Sequence, residues 1–160
     1  MRRIFIIALV VFNLQVLIAQ VEKKEFNYII CVDEDIIKVL QNPKITVKKD
    51  DVIIKEIPVL YYPGRLLLNT EDYEYISLLT EYEKLYLKFS YNDYSNKNKQ
   101  EVFNYEIEIG VNWFDKSYLI LKIYNTCKKQ YKNKLEPLEG KKYTFDLETS
   151  NGQMIRIRKS

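Results

Sequence analysis

Strict alternation of apolar and polar residues constrains this chain more than any other feature. Leu85, Leu87, Phe89 and Tyr91 alternate with Tyr86, Lys88 and Ser90, and Phe103, Tyr105, Ile107 and Ile109 alternate with Asn104, Glu106 and Glu108. A period of two puts each set on one face of an extended strand. Both segments therefore read as half-buried strands, and the polar stretch 92–100 as the exposed connection between them. Residues 117–125 (SYLILKIYN) are β-branched and apolar on both faces, as a central strand requires, with Trp113-Phe114 leading into them.

Turn residues divide the rest of the chain. YTFDLET and QMIRIRK flank Asn151-Gly152, a pair suited to the two positive-φ positions of a type I′ hairpin turn. Tyr143, Phe145 and Leu147 then face the core, with Met154 or Ile155 and Ile157 opposite. Arg156, Arg158 and Lys159 discourage edge pairing. ITVKK and VIIKEI form a second hairpin around Asp50-Asp51, and Pro63-Gly64 fits the centre of a type II turn leading into 65–69. Phe26 to Val32 is a further strand.

Two segments carry helical spacing instead. In 33–42 an acidic start precedes Ile36, Val39 and Leu40, with Pro43 as a stop. In 70–82, Asn69 or Thr70 caps a turn containing Glu71 and Asp72, and Tyr75, Leu78, Leu79 and Tyr82 share a face. The expectation is an all-β chain of about nine short strands with one or two short helices. It would form an antiparallel β-sandwich of the Greek-key or immunoglobulin-like kind, with an up-and-down β-barrel as in lipocalins as the alternative.

The N-terminus has its own logic. Arg2-Arg3, the 16-residue apolar run Ile4 to Ala19 and the small residue Ala19 have the parts of a secretory signal peptide. The run is shorter than the ~20 residues a membrane-spanning helix needs. Residues 1–19 are therefore expected to be removed before Gln20, leaving 20–160 as one domain without a stable membrane anchor. The arrangement resembles the signals of exported proteins from AT-rich Gram-negative bacteria of the bacteroidete kind. That resemblance implies a periplasmic or extracellular destination. In an oxidising compartment Cys31 and Cys127, the 2 cysteines of the chain, would form a disulfide.

Composition excludes several chemistries. The chain has no histidine, which removes Ser-His-Asp and Cys-His catalysis and the HExxH zinc motif. Its 4 glycines are isolated, so no glycine-rich phosphate loop can form. Removing Arg2 and Arg3 lowers the formal charge from +3 to +1, and Glu136 and Glu139 interrupt the basic cluster of Lys128, Lys129, Lys132, Lys134, Lys141 and Lys142. Nucleic acid is not an expected partner.

Asp33-Glu34-Asp35 is the densest carboxylate run, but it lacks the spacing of a calcium loop and reads as a helix start, so no metal or cofactor is expected. Glu106 and Glu108 share a strand face and are the candidate acids for a carboxylate-dependent hydrolase. The remaining candidates are aromatic. Tyr61 and Tyr62 beside Pro63, Tyr91 and Tyr94 in the connection, and Trp113 before a strand could form a platform for a protein or glycan partner. The expected function is a non-enzymatic binding module, with a lipocalin-like carrier of a small apolar ligand or a hydrolase as alternatives.

Overall fold

The computed structural model describes residues 22–94 and 100–152, and the backbone of 154 and 155. The expected signal 1–19, the Gln20 junction and Arg156, Ile157, Arg158 and Lys159 lie outside the described residues. The fold is all-β and sandwich-like. Three open sheets share one core, so the barrel alternative is excluded.

A three-stranded sheet joins β1 (Lys23–Phe26), β7 (Arg65–Asn69) and β6 (Leu60–Tyr62) in the order β1-β7-β6. A five-stranded sheet has the order β12-β11-β10-β2-β3, from β2 (Tyr28–Val32), β3 (Asp35–Ile36), β10 (Leu119–Asn125), β11 (Tyr143–Thr149) and β12 (Met154–Ile155). A four-stranded sheet has the order β5-β4-β8-β9, from β4 (Gln41–Lys49), β5 (Val52–Pro58), β8 (Glu83–Asp93) and β9 (Glu101–Ile109).

The alternating segments behave as their pattern dictates. Leu85, Leu87 and Phe89 of β8 and Tyr105, Ile107 and Ile109 of β9 are buried on one face, joined by Ile45 and Val47 of β4. Opposite them lie Ile30 and Val32 of β2 and Leu119, Leu121 and Ile123 of β10. Each such side chain contributes about 1.5–3 kcal/mol when fully removed from water. β10 is central as expected, but only its Leu119, Leu121 and Ile123 face is buried, Ile120, Lys122 and Tyr124 on the other being half-buried; its pairing with β2 is parallel while that with β11 is antiparallel. The segment expected as one strand from Phe26 to Val32 breaks at Asn27. There the carbonyl accepts from Leu119 N–H at 2.8 Å, and the side-chain amide donates to the Ser117 carbonyl at 2.8 Å.

The helix expected over 33–42 does not form. Val32 pairs with Asp35, and Asp33 and Glu34 between them have φ of 51° and 78°, the backbone of a two-residue type I′ turn. Asp50 and Asp51, at φ 49° and 61° between paired Lys49 and Val52, make a second. Pro43 lies inside β4, just past a bulge where Asn42 has φ 49°, and stops nothing.

The helix expected over 70–82 is α1 (Thr70–Ser77). Ile76 is its buried residue, while Leu78 and Tyr82, expected on the apolar face, are 82% and 70% exposed. The chain leaves the helix because the Glu83 carboxylate accepts from both the backbone N–H and the hydroxyl of Thr80 at 2.9 Å. This starts β8 early.

The C-terminal turn also differs from expectation. Glu148 pairs with Met154, Gly152 N–H donates to the Thr149 carbonyl at 2.9 Å, and Gly152 but not Asn151 has positive φ, at 71°. The tip is a longer loop with a left-handed glycine rather than a two-residue I′ turn. Pro63-Gly64 matches its expectation, with Gly64 at φ 88° between paired Tyr62 and Arg65.

The disulfide is absent. Cys31 is a buried free thiol on β2 and Cys127 an exposed one. Cys31 lies in register with Lys122, and β10 runs on to Asn125 before the turn that carries Cys127. Three strand residues alone advance the chain about 10 Å, beyond the 4.4–6.8 Å span of disulfide Cα atoms.

Two turn substitutions test this backbone. Asp51→Gly is expected to stabilise the protein by about 0.5–1 kcal/mol, because glycine occupies φ 61° without a Cβ clash. Gly152→Ala is expected to cost about 1–2 kcal/mol. Urea unfolding of both variants measures the two values, and an unchanged Gly152→Ala midpoint would contradict the left-handed tip.

Candidate functional site

The three carboxylates of the β2–β3 hairpin have different surroundings. Asp33 accepts from Asn125 N–H at 2.8 Å and from Asn125 Nδ2 at 2.7 Å, and pairs with Lys128 Nζ at 2.8 Å. Lys128 also reaches Asp93 Oδ2 at 2.6 Å. Burial opposes its charge, but hydrogen bonds to Asp33 and Asp93 outweigh this and raise its pKa. Asn125 is 1% exposed, and its Oδ1 accepts from the Tyr105 hydroxyl at 3.0 Å.

Glu34 lies 3.4 Å from the Tyr131 hydroxyl, and Asp35 borders both the Asp33–Asp93–Lys128 pocket and a neighbouring cleft. Among the described residues no group of three His, Cys, Asp or Glu side chains converges for a metal.

The aromatic candidates separate. Tyr61 is a core residue whose hydroxyl accepts from Ile30 N–H at 3.0 Å, and burial raises its pKa. Its neighbour Tyr62 alternates to the exposed face. Trp113 lies half-buried in a 3-10 turn, with its ring edge-to-face on Phe145 at 6.5 Å. No shared platform joins these three to the others.

Tyr91 and Tyr94 do come together. With Asn92 they form one wall of an open cleft of about 440 Å³, whose other wall is Asp35, Ile36, Ile37, Lys38, Val39 and Gln41. Tyr91 is the last apolar residue of the β8 alternation rather than a loop residue, and it packs against the core. Burial, then Asp93, raises its pKa. Tyr94 is 68% exposed, and its hydroxyl accepts from Asn92 Nδ2 at 3.2 Å. Ile36 and Val39 are 57% and 70% exposed. The Asn92 Oδ1 is buried and has no hydrogen-bond partner among the described residues. The sequence pattern placed Ile36 and Val39 on a helix face, whereas the structure exposes them at this cleft.

The candidate acid pair also resolves. Glu106 Oε1 is 2.9 Å from both Lys48 and Lys88, and its Oε2 is 2.8 Å from Lys141. The Lys141 hydrogen bond, against some desolvation and with help from Lys48 and Lys88, lowers its pKa to about 2. Glu108 meets the Tyr86 hydroxyl at 3.4 Å. A carboxyl ionised this firmly is no proton donor near neutrality, so Glu106 is unsuited to the general-acid role of a carboxylate-dependent hydrolase.

Glu106 has a pH signature. Its folded pKa lies below the ordinary 4.5, so its contribution is complete above pH 4.5 and is lost as pH falls toward 2. Glu106→Gln is expected to remove about 1–2 kcal/mol of acid-sensitive stability in that window, allowing for solvent screening. Thermal melts of both proteins from pH 6 to 2 test it, and parallel curves would contradict the triple lysine contact. Asn125→Ala, which strands Asp33 and the Tyr105 hydroxyl, is expected to cost about 2–4 kcal/mol by urea unfolding.

Comparison with protein-family models, with curated proteins and with solved structures finds no match to this chain.

Proposed function

We propose that the protein is an exported, non-enzymatic binding module that engages a protein partner, at the cell envelope or outside the cell, through the Tyr91–Tyr94 cleft. The observation that carries this reading is the apposition of three exposed apolar side chains, Ile36, Val39 and Tyr94, around one cleft. Isolated exposed apolar residues are ordinary, but a contiguous group rimmed by polar side chains has the character of an interaction surface. The rim is present in Asp35, Lys38 and Gln41. Tyrosine adds contact area with few rotatable bonds and a hydroxyl for the polar edge.

β3 is the terminal strand of its sheet, so a partner segment can approach the cleft from that side. The carrier alternative loses its scaffold because the sheets do not close. Export is supported by the charged, apolar and small-residue order of positions 1–19. Among the described residues no helix is long and apolar enough to cross a membrane.

Tyr94→Ala and Val39→Ser are expected to abolish capture of an envelope protein by the immobilised domain while leaving Tm within about 2 °C, since both side chains are mostly exposed. A matching fall in Tm would return both residues to a packing role. Mass spectrometry of the protein from its own cells is expected to show a chain beginning at Gln20, and retention of Met1 would overturn the export reading.

A further inference from the structure

The outer face of the four-stranded sheet sets lysine against lysine. In the β4–β8 register Lys44 lies opposite Lys88 and Lys48 opposite Lys84. Like charges directly across an antiparallel pair are destabilising. The counter-charge at the centre is the single carboxylate of Glu106, which Lys48 and Lys88 approach at the same oxygen and Lys141 at the other. Lys48 and Lys88 are each 2.9 Å from that oxygen, so their nitrogens lie within twice that distance of each other. Three ammonium groups on one carboxylate leave a surplus of two positive charges. Each ammonium has three donors, more than Glu106 can accept.

This surplus borders a pocket of about 310 Å³ that Lys44, Lys88 and Lys141 line together with Asn42, Ser90, Asn104 and Glu106 itself; Lys44 is also paired with Glu56 at 2.7 Å. Asn42 is the bulge residue of β4, held at φ 49°, in the left-handed region that asparagine enters more readily than most residues. Bulges re-aim side chains and recur beside functional sites. Ser90 Oγ donates to Asn104 Oδ1 at 2.6 Å, which leaves the Asn104 amide nitrogen to donate elsewhere. Lysines beside amide and hydroxyl groups match a ligand carrying both an anion and several hydroxyls.

We propose that this pocket binds an acidic saccharide, with a carboxylate or sulfate held by Lys88 and Lys141, the pocket lysines that share Glu106, and ring hydroxyls held by Asn42, Ser90 and Asn104. The pocket's amide and hydroxyl wall would be idle around a bare oxyanion. The rings at its base, Phe89, Tyr105 and Tyr143, are buried and give a nucleic-acid base no stacking surface. These residues are not those of the Tyr91–Tyr94 cleft, and the two readings stand or fall separately.

The test is calorimetric titration of the folded protein at low salt with trigalacturonate and with a heparin-derived tetrasaccharide, the carboxylate and sulfate arms. Maltotriose, sodium sulfate and triglutamate serve as comparisons. At least one acidic saccharide is expected to bind with Kd below about 1 mM and to weaken tenfold or more in Lys88→Gln and in Lys141→Gln. Lys23→Gln, on β1, should bind as the unmodified protein does, and maltotriose should not bind. Should Lys88→Gln fail to fold, Lys141→Gln, whose side chain is 36% exposed, carries the comparison. Failure of both acidic saccharides to bind would overturn the site. Equal affinity for sulfate or triglutamate would overturn the saccharide assignment, and an equal loss in Lys23→Gln would reduce the effect to general charge.

Discussion

The buried pairing of Asn125 with Asp33 is the interaction on which the rest of this structure depends. Asn125 ends β10, and through it the Asp33 carboxylate holds the β2–β3 turn in a backbone conformation that neither Asp33 nor Glu34 prefers. The same amide accepts from the Tyr105 hydroxyl on β9, and Lys128 links Asp33 to Asp93 at the end of β8. One polar chain therefore ties the four-stranded sheet to the five-stranded one across an otherwise apolar core. Buried polar groups stabilise a fold only when nearly all their hydrogen bonds are made. Here the Asn125 N–H, Nδ2 and Oδ1 are all engaged. The Tyr91–Tyr94 cleft exists because this network turns β3 back beside the end of β8.

A second clasp joins the sheets further along β9. The Tyr143 hydroxyl, from β11, accepts from Glu106 N–H at 2.8 Å and donates to the Glu106 carbonyl at 2.6 Å. β9 is a sheet edge, and unpaired backbone groups on an edge invite association with other chains. One phenol satisfies both groups of the residue whose side chain gathers three lysines. The edge is covered at that point without a further strand.

The strands and most turns were legible because they depend on local pattern. The alternation in 85–91 and 103–109 put the observed residues in the core, and Pro63-Gly64 needed only its own two residues to define a turn. Asp33-Glu34 failed because its left-handed backbone is held from outside by Asn125, 92 positions away; read alone, two acids before apolar residues look like a helix start. The end of α1 was misplaced for a related reason, since Glu83 recaptures the chain at Thr80. Tyr61 looked equivalent to Tyr62 until the sheet's alternation sent one inward. The lysine face was illegible without register, because only the β4–β8 pairing shows that Lys44 and Lys48 confront Lys88 and Lys84.

The parallel contact between β2 and β10 orders events in time. Tyr28 pairs with Leu119 and Val32 with Ile123, partners separated by about 91 residues. β10 needs β11 on its other side. An emerging chain can close the β4–β5 and β8–β9 hairpins early, since their partners are neighbours, but the five-stranded sheet must wait for residues beyond 140. Until then the half-formed core presents Ile30, Ile45 and Leu87 to solvent with nothing opposite. Closing such long loops before the contacts repay them is slow. The five-stranded sheet is therefore acquired only once β11 has emerged, and in the interval the chain is at its most exposed to aggregation and to whatever holds unfolded chains in solution.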